Sequence, residues 1–340
     1  MILANDNKAP QAIRLDEKSN VEEPLLAQLE ALGWTVIRLG AGQTPAQSGR
    51  TSFDQVILRP QVEAALQRIN PFLTSAQLDE VVQRITLLPG GGLLENNRYV
   101  LELLLRHTSV ARNHVTGEKS PTVRYVDFAN PANNSFIAIS QFKVRVSGTE
   151  HHIVPDIVLF LNGLPVAVIE CKSTRVKEPL AEAIDQLLRY SEQRGASGEG
   201  NANLFAYNQM LVATCRVQAK FGTITTHIEK HWFRWTDPYP HTLDALSPTG
   251  KTVNDQQRLA AGMFAHRNLL DLIQSFTIFA GDDKGRTIKI VARYQQYRAV
   301  KKAVDRLLHG DTPRTRSGII WHTQGSGKSL TMMFMVRYLR

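Results

Sequence analysis

Val154-Pro-Asp-Ile-Val-Leu-Phe-Leu-Asn-Gly-Leu-Pro-Val-Ala-Val-Ile-Glu-Cys-Lys172 hangs acidic and basic groups on two short apolar runs. Ile157 to Leu161 and Val166 to Ile169 are rich in β-branched residues, and Asn162-Gly163 with Pro165 between them is the turn chemistry of an antiparallel hairpin. Folding about that turn brings Asp156 abreast of the residues near 170. Glu170 and Lys172 are two apart on the second strand and share a face, whereas Cys171 points to the other. Two carboxylates little more than a strand spacing apart repel unless a cation sits between them, and a hard divalent ion such as Mg2+ prefers oxygen ligands. Asp156 and Glu170 are therefore the candidate metal ligands, with the Cys171 backbone carbonyl as a further one. Lys172 beside them suits the orientation of an attacking water or the neutralisation of charge on a phosphate. The set fits phosphodiester hydrolysis; the competing reading is a solvated strand end whose lysine pairs with one carboxylate.

Pro155-Asp156, thirteen residues, then Glu170-Cys171-Lys172 resembles the PD-(D/E)xK nuclease motif. Glu178 to Gln193 follows as an amphipathic helix, with Leu180, Ile184, Leu187 and Leu188 at helical spacing and Gln186 and Tyr190 on one face. Gln-x-x-x-Tyr at this place is similar to the extension in RecB-like nucleases and in the R (HsdR) subunits of type I restriction enzymes. The resemblance gives Gln186 and Tyr190 a positioning role, since amide and phenol can hydrogen-bond a nucleic-acid strand or the lysine. Upstream, Val21 to Leu32 carries Leu25, Leu26, Leu29 and Leu32 on one stripe before Gly33 stops the helix. Trp34 to Leu39 is a strand. This opening resembles that of type I R subunits, in which an early glutamate can approach the metal, and makes Glu22 a further candidate. A charge placed for the helix dipole is the alternative. Asp127-Phe128, Asn134, Phe136 and Gln141-Phe142 resemble the lead-in to the nuclease hairpin in the same subunits.

The chain has 340 residues, 43% hydrophobic and 21% charged, enough for two domains of ordinary globular composition. No apolar run approaches the roughly 20 residues of a membrane span, and the start lacks a signal-peptide pattern, so a cytoplasmic location without a membrane partner is expected. Cys171 and Cys215 have no CxxC spacing and read as buried thiols. Forty Lys+Arg against thirty-one Asp+Glu give +9, a bias towards a polyanionic partner.

Residues 1–20 read as an arm. Arg59 to Ile69, Ser75 to Ile85 and Leu93 to His107 read as three amphipathic helices of an insertion at about 59–107. Val123 to Phe128, Phe136 to Ile139, Phe142 to Val146, Met210 to Thr214 and Ala219 to Thr223 have strand character, and Trp232, Phe233 and Trp235 are either packing or a surface for bases. Prolines and glycines at 238–250 suggest a linker at 241–256 between a first domain, 21–240, and a second unit, 257–340.

In that second unit Thr287 to Ala292 and Gly318 to Trp321 read as strands. The latter runs into His322-Thr-Gln-Gly-Ser-Gly-Lys-Ser329 and an apolar helix. Strand, Gly-rich turn, Lys-Ser and helix is the order a phosphate-binding loop requires, because helix amides and dipole hold phosphates. Thr323, Gly325, Ser326, Gly327, Lys328 and Ser329 are the candidate ATP contacts; Lys328 would reach the β/γ phosphates and Ser329 would take the Mg2+ that accompanies ATP. His322 replaces the first glycine of GxxxxGK[ST], but Thr323 to Ser329 is similar to motif I of superfamily 2 helicases, and Arg293-x-x-Gln296 resembles their Q motif, whose glutamine reads adenine.

A PD-(D/E)xK hairpin ahead of a superfamily 2 start is identified as a member of the type I R-subunit family over nearly the whole chain. The resemblance implies an α/β fold: a restriction-endonuclease-like domain with a helical insertion, then the start of a RecA-like motor. It implies ATP-dependent translocation of double-stranded DNA, Mg2+-dependent cutting away from the recognised site, and partnership with methyltransferase (M) and specificity (S) subunits. Since the sequence stops at Arg340, inside the helix after the phosphate loop, a longer parent polypeptide is expected. A DNA-binding module with a silent nuclease and a helicase-like ATPase with a merely structural hairpin remain as alternatives.

Overall fold

The computed structural model describes residues 11–106, 108–113, 116–195, 198–247, 250–321 and 323–340. Its centre is a mixed sheet of six strands, β1 (Thr35–Arg38), β2 (Phe136–Ser140), β3 (Ile157–Leu161), β4 (Leu164–Cys171), β5 (Met210–Thr214) and β6 (Ala219–Gly222), bonded side by side in that order. The β1/β2 and β4/β5 pairs are parallel, and the other three are antiparallel. Every residue of β2, β3, β4 and β5 is buried, which is why these strands read as continuous apolar runs.

The β3/β4 hairpin forms as its turn residues require. Asn162 and Gly163 have φ of 50° and 81°, the two positive values of a two-residue loop that matches strand twist. Glycine at 163 has a second cause: a Cβ there would lie 2.6 Å from the Leu58 carbonyl oxygen. The Leu58 amide donates to the Gly163 carbonyl at 2.9 Å, which fastens the entry of the helix Arg59–Ile69 to the turn.

Helices cover the sheet. α1 (Gln11–Glu17) runs through one wide turn, Lys18–Glu22, into α2 (Glu23–Ala31), whose Leu25, Leu26 and Leu29 are buried; a fully buried leucine contributes about 1.5–3 kcal/mol. The arm expected at 1–20 is therefore helical from Gln11, and residues 1–10 lie outside the described ones. α3 (Arg59–Ile69), α4 (Ser75–Thr86) and α5 (Leu93–Leu105) occupy the expected helical region. A Thr74/Gln77 capping box starts α4, and His107 lies outside the described residues. α6 (Pro179–Tyr190) follows the hairpin.

Three expected strands are corrected. Of Val123 to Phe128, only Val123 is paired, in the Thr122–Val123 bridge to Thr108–Ser109. Tyr125 and Val126 are buried, but side chains take backbone groups in and beside them: Asn70 accepts from the Arg124 amide, Asn162 donates to the Tyr125 carbonyl and Asn134 accepts from the Asp127 amide. Within Phe142 to Val146 only Val144–Arg145 is laddered, to His152–Ile153. Gly318 to Trp321 makes no strand: Ile319 is 91% and Trp321 88% exposed, with no neighbouring strand among the described residues to hydrogen-bond them.

Beyond the sheet come α7 (Asp255–Phe264), α8 (His266–Gln274), the hairpin β7 (Thr277–Gly281)/β8 (Thr287–Val291), α9 (Tyr294–His309) and α10 (Lys328–Leu339). Pro248 and Thr249 of the expected linker lie outside the described residues, and α7 is packed on α2. The Trp34 indole donates to the Phe264 carbonyl at 2.8 Å, Gln28 donates to the Gln257 carbonyl at 2.8 Å, and Arg234 clasps Asp255 with two bonds of 2.7 Å. One apolar core runs through both regions. Trp232 and Trp235 belong to it, which decides for packing over a base-stacking surface. Lys289 of β8 is also buried, its amine donating to Asn97 Oδ1 at 2.7 Å, the Asn208 carbonyl at 2.9 Å and Gln209 Oε1 at 2.7 Å.

Candidate active site

At the open end of the hairpin, the register pairs Ile157 with Ile169 and so sets Asp156 across from Glu170 and Cys171. Asp156 Oδ2 accepts from the Cys171 amide at 2.7 Å. Glu170 is fully buried, and Lys172 Nζ donates to its Oε1 at 3.1 Å. Glu170 Oε2 is buried without a hydrogen-bond partner among the described residues. A buried carboxylate oxygen left unpaired is costly, and this one marks the place where a cation is wanted.

The helical opening supplies two more carboxylates. Pro24 has no amide hydrogen for the Asn20 carbonyl four residues back, and its ring crowds that carbonyl. The helix answers by widening: the Glu23 amide reaches the Lys18 carbonyl five residues back, a π turn. The loosened carbonyls are taken elsewhere, Asn20 by Arg216 at 3.1 Å and Val21 by the Gln256 amide at 3.2 Å. Five residues per hydrogen-bonded turn set Glu17 and Glu22 on one face, and one oxygen of each lies with one of Asp156 in a group no more than 4.8 Å apart. Gln141, with φ of 54°, donates through one amide nitrogen to Glu22 Oε2 at 3.0 Å and Asp156 Oδ1 at 3.2 Å. Glu17 Oε2 accepts from the Ser173 amide at 3.0 Å. Glu22 thus stands with the hairpin carboxylates, Gln141 of the lead-in joins them without having been assigned a role there, and Glu17 is a site residue that sequence reasoning missed. Pro24 inside an otherwise helical run was the available signal for Glu17.

Charge in this pocket is unbalanced. Burial first, then the Asp156 charge, raises Glu17 to about 7 and Glu22 to about 8. Glu170 is pushed well up by burial and then by Asp156, against the pull of Lys172. Burial acts to lower Lys172, but Glu170, Asp156 and Glu17 outweigh it and keep the ammonium charged. Four carboxylates face one buried ammonium, that of Lys172, with Lys18 pulling on Glu22 more weakly than burial, Asp156, Gln141 or Glu17 act on it, and the hydrogen-bond donors named above are neutral. Such a donor set, all oxygen with one orphaned atom, fits a hard divalent cation.

Gln186 and Tyr190 pair with one another on α6, the amide donating to the phenol oxygen at 2.7 Å. Far along the chain, Gly325 and Gly327 take φ of 75° and 82°, and α10 starts at Lys328. Gln296 is buried beneath this loop: its amide nitrogen donates to the Ser326 and Gly327 carbonyls at 3.3 and 3.2 Å, and its oxygen accepts from the Arg293 amide at 2.8 Å. Both ends of the glutamine expected to read adenine are thus engaged by backbone. Lys328 Nζ turns back to the Thr323 carbonyl at 3.3 Å, Ser329 is exposed, and His322 lies outside the described residues.

Residues 14–230 match the family model described as type I restriction enzyme R protein N terminus. The chain belongs to that family. Residues 295–340 match the SWI2/SNF2 ATPase model, the stretch that holds Gln296 and the Gly-rich loop. Among curated relatives of this R-protein family, the type I restriction enzyme HindI endonuclease subunit of Haemophilus influenzae is 32% identical over 93% of this chain and 29% of its own length. The putative MjaIXP endonuclease subunit of Methanocaldococcus jannaschii is 28% identical over 99% of this chain and 32% of its own. A Staphylococcus aureus subunit, SauMSSORF170P, is 24% identical over 92% of this chain. The chain thus spans about a third of the length of the relatives it matches. No helix among the described residues is long and apolar enough to cross a membrane.

Proposed function

We propose that this chain carries the nuclease centre of a type I restriction-modification enzyme's R subunit, cutting unmodified double-stranded DNA away from the recognition site. On this reading the six-stranded sheet is a PD-(D/E)xK domain, and residues 257–340 begin a RecA-like motor that translocates DNA at the expense of ATP. The fully buried Glu170, salt-bridged to Lys172 through one oxygen and bare at the other, is the observation that carries it. Asp156, Glu170 and the Cys171 carbonyl would hold Mg2+. When bound, the cation supplies a Lewis acid for the phosphate and a lowered pKa for its water. Lys172, kept charged and aimed by Glu170, orients the attacking water and faces the charge that grows on the phosphate oxygens. Gln186 and Tyr190 fix the strand or the lysine by hydrogen bonds. In the second unit Thr323 to Ser329 would cradle the ATP phosphates and Ser329 would hold the accompanying Mg2+, while Gln296 braces the loop through the Ser326 and Gly327 carbonyls. The M and S subunits, named for the family and not for any surface here, supply site recognition.

The test uses the assembled R, M and S enzyme on plasmid DNA with one recognition site, Mg2+ and ATP. Glu170→Ala and Asp156→Ala should abolish cutting while ATP hydrolysis continues. Cutting at the wild-type rate by either folded variant would sink the nuclease reading, and equal loss of ATPase would sink the separation of the two sites.

A further inference from the structure

We propose that Ser173 and Arg175, on the loop after Lys172, form a contact for a phosphodiester of the DNA backbone, and that Asp16 of α1 fills that contact until DNA arrives. The proposal rests on the nuclease reading for its ligand, and its residues lie outside the metal ligands assigned above.

Asp16 is laid out as a phosphate would be. Its Oδ2 accepts from the Ser173 hydroxyl, and its Oδ1 faces the Arg175 guanidinium at 3.6 Å. A hydroxyl and a guanidinium are donors that proteins turn towards the free oxygens of a backbone phosphate. The hydroxyl is fixed in that use, because Ser173 Oγ already accepts from the Arg175 amide at 3.1 Å, which leaves its proton to be given outward. Ser173 is fully buried beneath α1, so its hydroxyl meets DNA only once the Asp16 side chain has moved. The contact also adjoins the cutting centre. The Ser173 amide donates to Glu17, whose carboxylate groups with Asp156, so a strand held at Asp156 and Glu170 runs past residues 173–175.

Two observations set this apart from a clasp that merely holds α1 in place. First, the clasp carries little of the fold. α1 brings no buried residue and Leu15 is 61% exposed, while the Arg175 side chain is 63% exposed and its pair with Asp16 is a weak one in water. Asp16 can leave without α1, since the Glu17 bond to the Ser173 amide remains and Asn20, on the same helical run, still donates to Asp16 Oδ1 at 2.8 Å. Second, charge calls for a cation here. A polyanion that approaches Glu17, Glu22, Asp156 and Glu170 is repelled, and Lys172 is buried against Glu170, whereas Arg175 stands on the solvent side of the same loop.

The experiment measures binding of a short DNA duplex without a recognition site to the purified chain, by fluorescence anisotropy over a series of salt concentrations. Arg175→Ala should weaken binding about tenfold and flatten the slope of log K against log salt by about 0.9, the mark of one lost phosphate contact; Arg175→Lys should keep the slope. Asp16→Ala should tighten binding about three- to fivefold. In a chain that also carries Ser173→Ala and Arg175→Ala, the same change should give no gain. An equal gain in both backgrounds is a general relief of repulsion and overturns the proposal, as does an unaltered salt slope in Arg175→Ala, or a duplex that neither wild type nor Asp16→Ala binds. If Asp16→Ala lowers Tm enough to disturb binding, Asp16→Asn, which keeps an acceptor for Ser173, replaces it and should still tighten binding; equal or looser binding removes Asp16 from the contact. DNA cutting in the assembled enzyme separates the two readings. Glu170-dependent cutting with duplex binding indifferent to Arg175 leaves the nuclease and removes the contact. Arg175-dependent binding without Glu170-dependent cutting keeps the contact and removes the nuclease.

Discussion

Lys172 and Glu170 hold each other in a place that neither would occupy alone. Removing the ammonium leaves a buried carboxylate unpaired, a loss of about 3–5 kcal/mol where the charge is forced to stay. Glu170 escapes by taking a proton, which its raised pKa makes easy. Lys172→Met should therefore cost more stability at pH 8 than at pH 5 in urea unfolding; an equal cost at both would show that Glu170 does not titrate with its partner. Glu17 and Glu22 carry a related signature. Each holds its proton to about 7 and about 8 when folded, against 4.5 for the free side chain. Between roughly pH 4.5 and 8 the unfolded chain binds fewer protons than the folded one, so stability in EDTA should fall as pH rises and level off above that window. Mg2+ or Mn2+ should reverse this, with a larger rise in Tm at pH 8 than at pH 5; a hundredfold excess over Kd is worth about 2.7 kcal/mol. A flat melting profile from pH 5 to 8 would contradict the raised carboxylates. Gln186 and Tyr190 act at the level of one hydrogen bond. Gln186→Ala or Tyr190→Phe should slow cutting by about five- to tenfold without abolishing it, as about 1 kcal/mol predicts. An unchanged rate would take the pair out of the site.

Two elements decide the geometry, and one of them was plain in the sequence. The hairpin could be read because alternating cues agree: β-branched runs, Asn162-Gly163 between them and charges only at the open end. Gly163→Ala should destabilise the fold by roughly 1–3 kcal/mol, through its positive φ and the Leu58 carbonyl; a neutral effect in thermal melting would mean the turn can relax. The wide turn ahead of α2 was hidden, because its cause is a single proline and its outcome, the approach of Glu17 to Asp156, depends on contacts more than 130 residues apart in sequence. Pro24→Ala restores the missing amide and should tighten this turn to an ordinary α-helix, turning Glu17 away and weakening Mn2+ binding. Affinity unchanged from wild type would show that other contacts hold the helix open. Strand character failed around Tyr125 for a comparable reason: Tyr125 and Val126 are buried as strand residues would be, yet asparagine side chains take the Arg124 amide and the Tyr125 carbonyl in place of a neighbouring strand. Gly318 to Trp321 has the composition of a strand but, among the described residues, lacks the hydrogen-bonding partners of one.

At the scale of the molecule, the sheet and the segment that ends in the Gly-rich loop share one apolar core, although the punctuation at 238–250 marks a division between them. Composition gave the right class and a basic balance, but it could not foresee that α7 would lie on α2. Lys328 and the carboxylate pocket belong to different elements joined by that core, so Lys328→Ala should leave Mn2+ binding without nucleotide unaltered; a change in it would mean that the two sites communicate even at rest. The cage of Lys289 says how such communication would travel. β8 leads straight to Arg293 and Gln296, the residues under the Gly-rich loop, and its amine is seated on Gln209, whose amide bonds the Val166 carbonyl and whose next residue begins the strand lying against Glu170. Burial pushes the Lys289 amine well down from its usual pKa, so its three neutral acceptors hold it by hydrogen bonds alone, and moving this hairpin would have to break those bonds at the root of the strand beside Glu170.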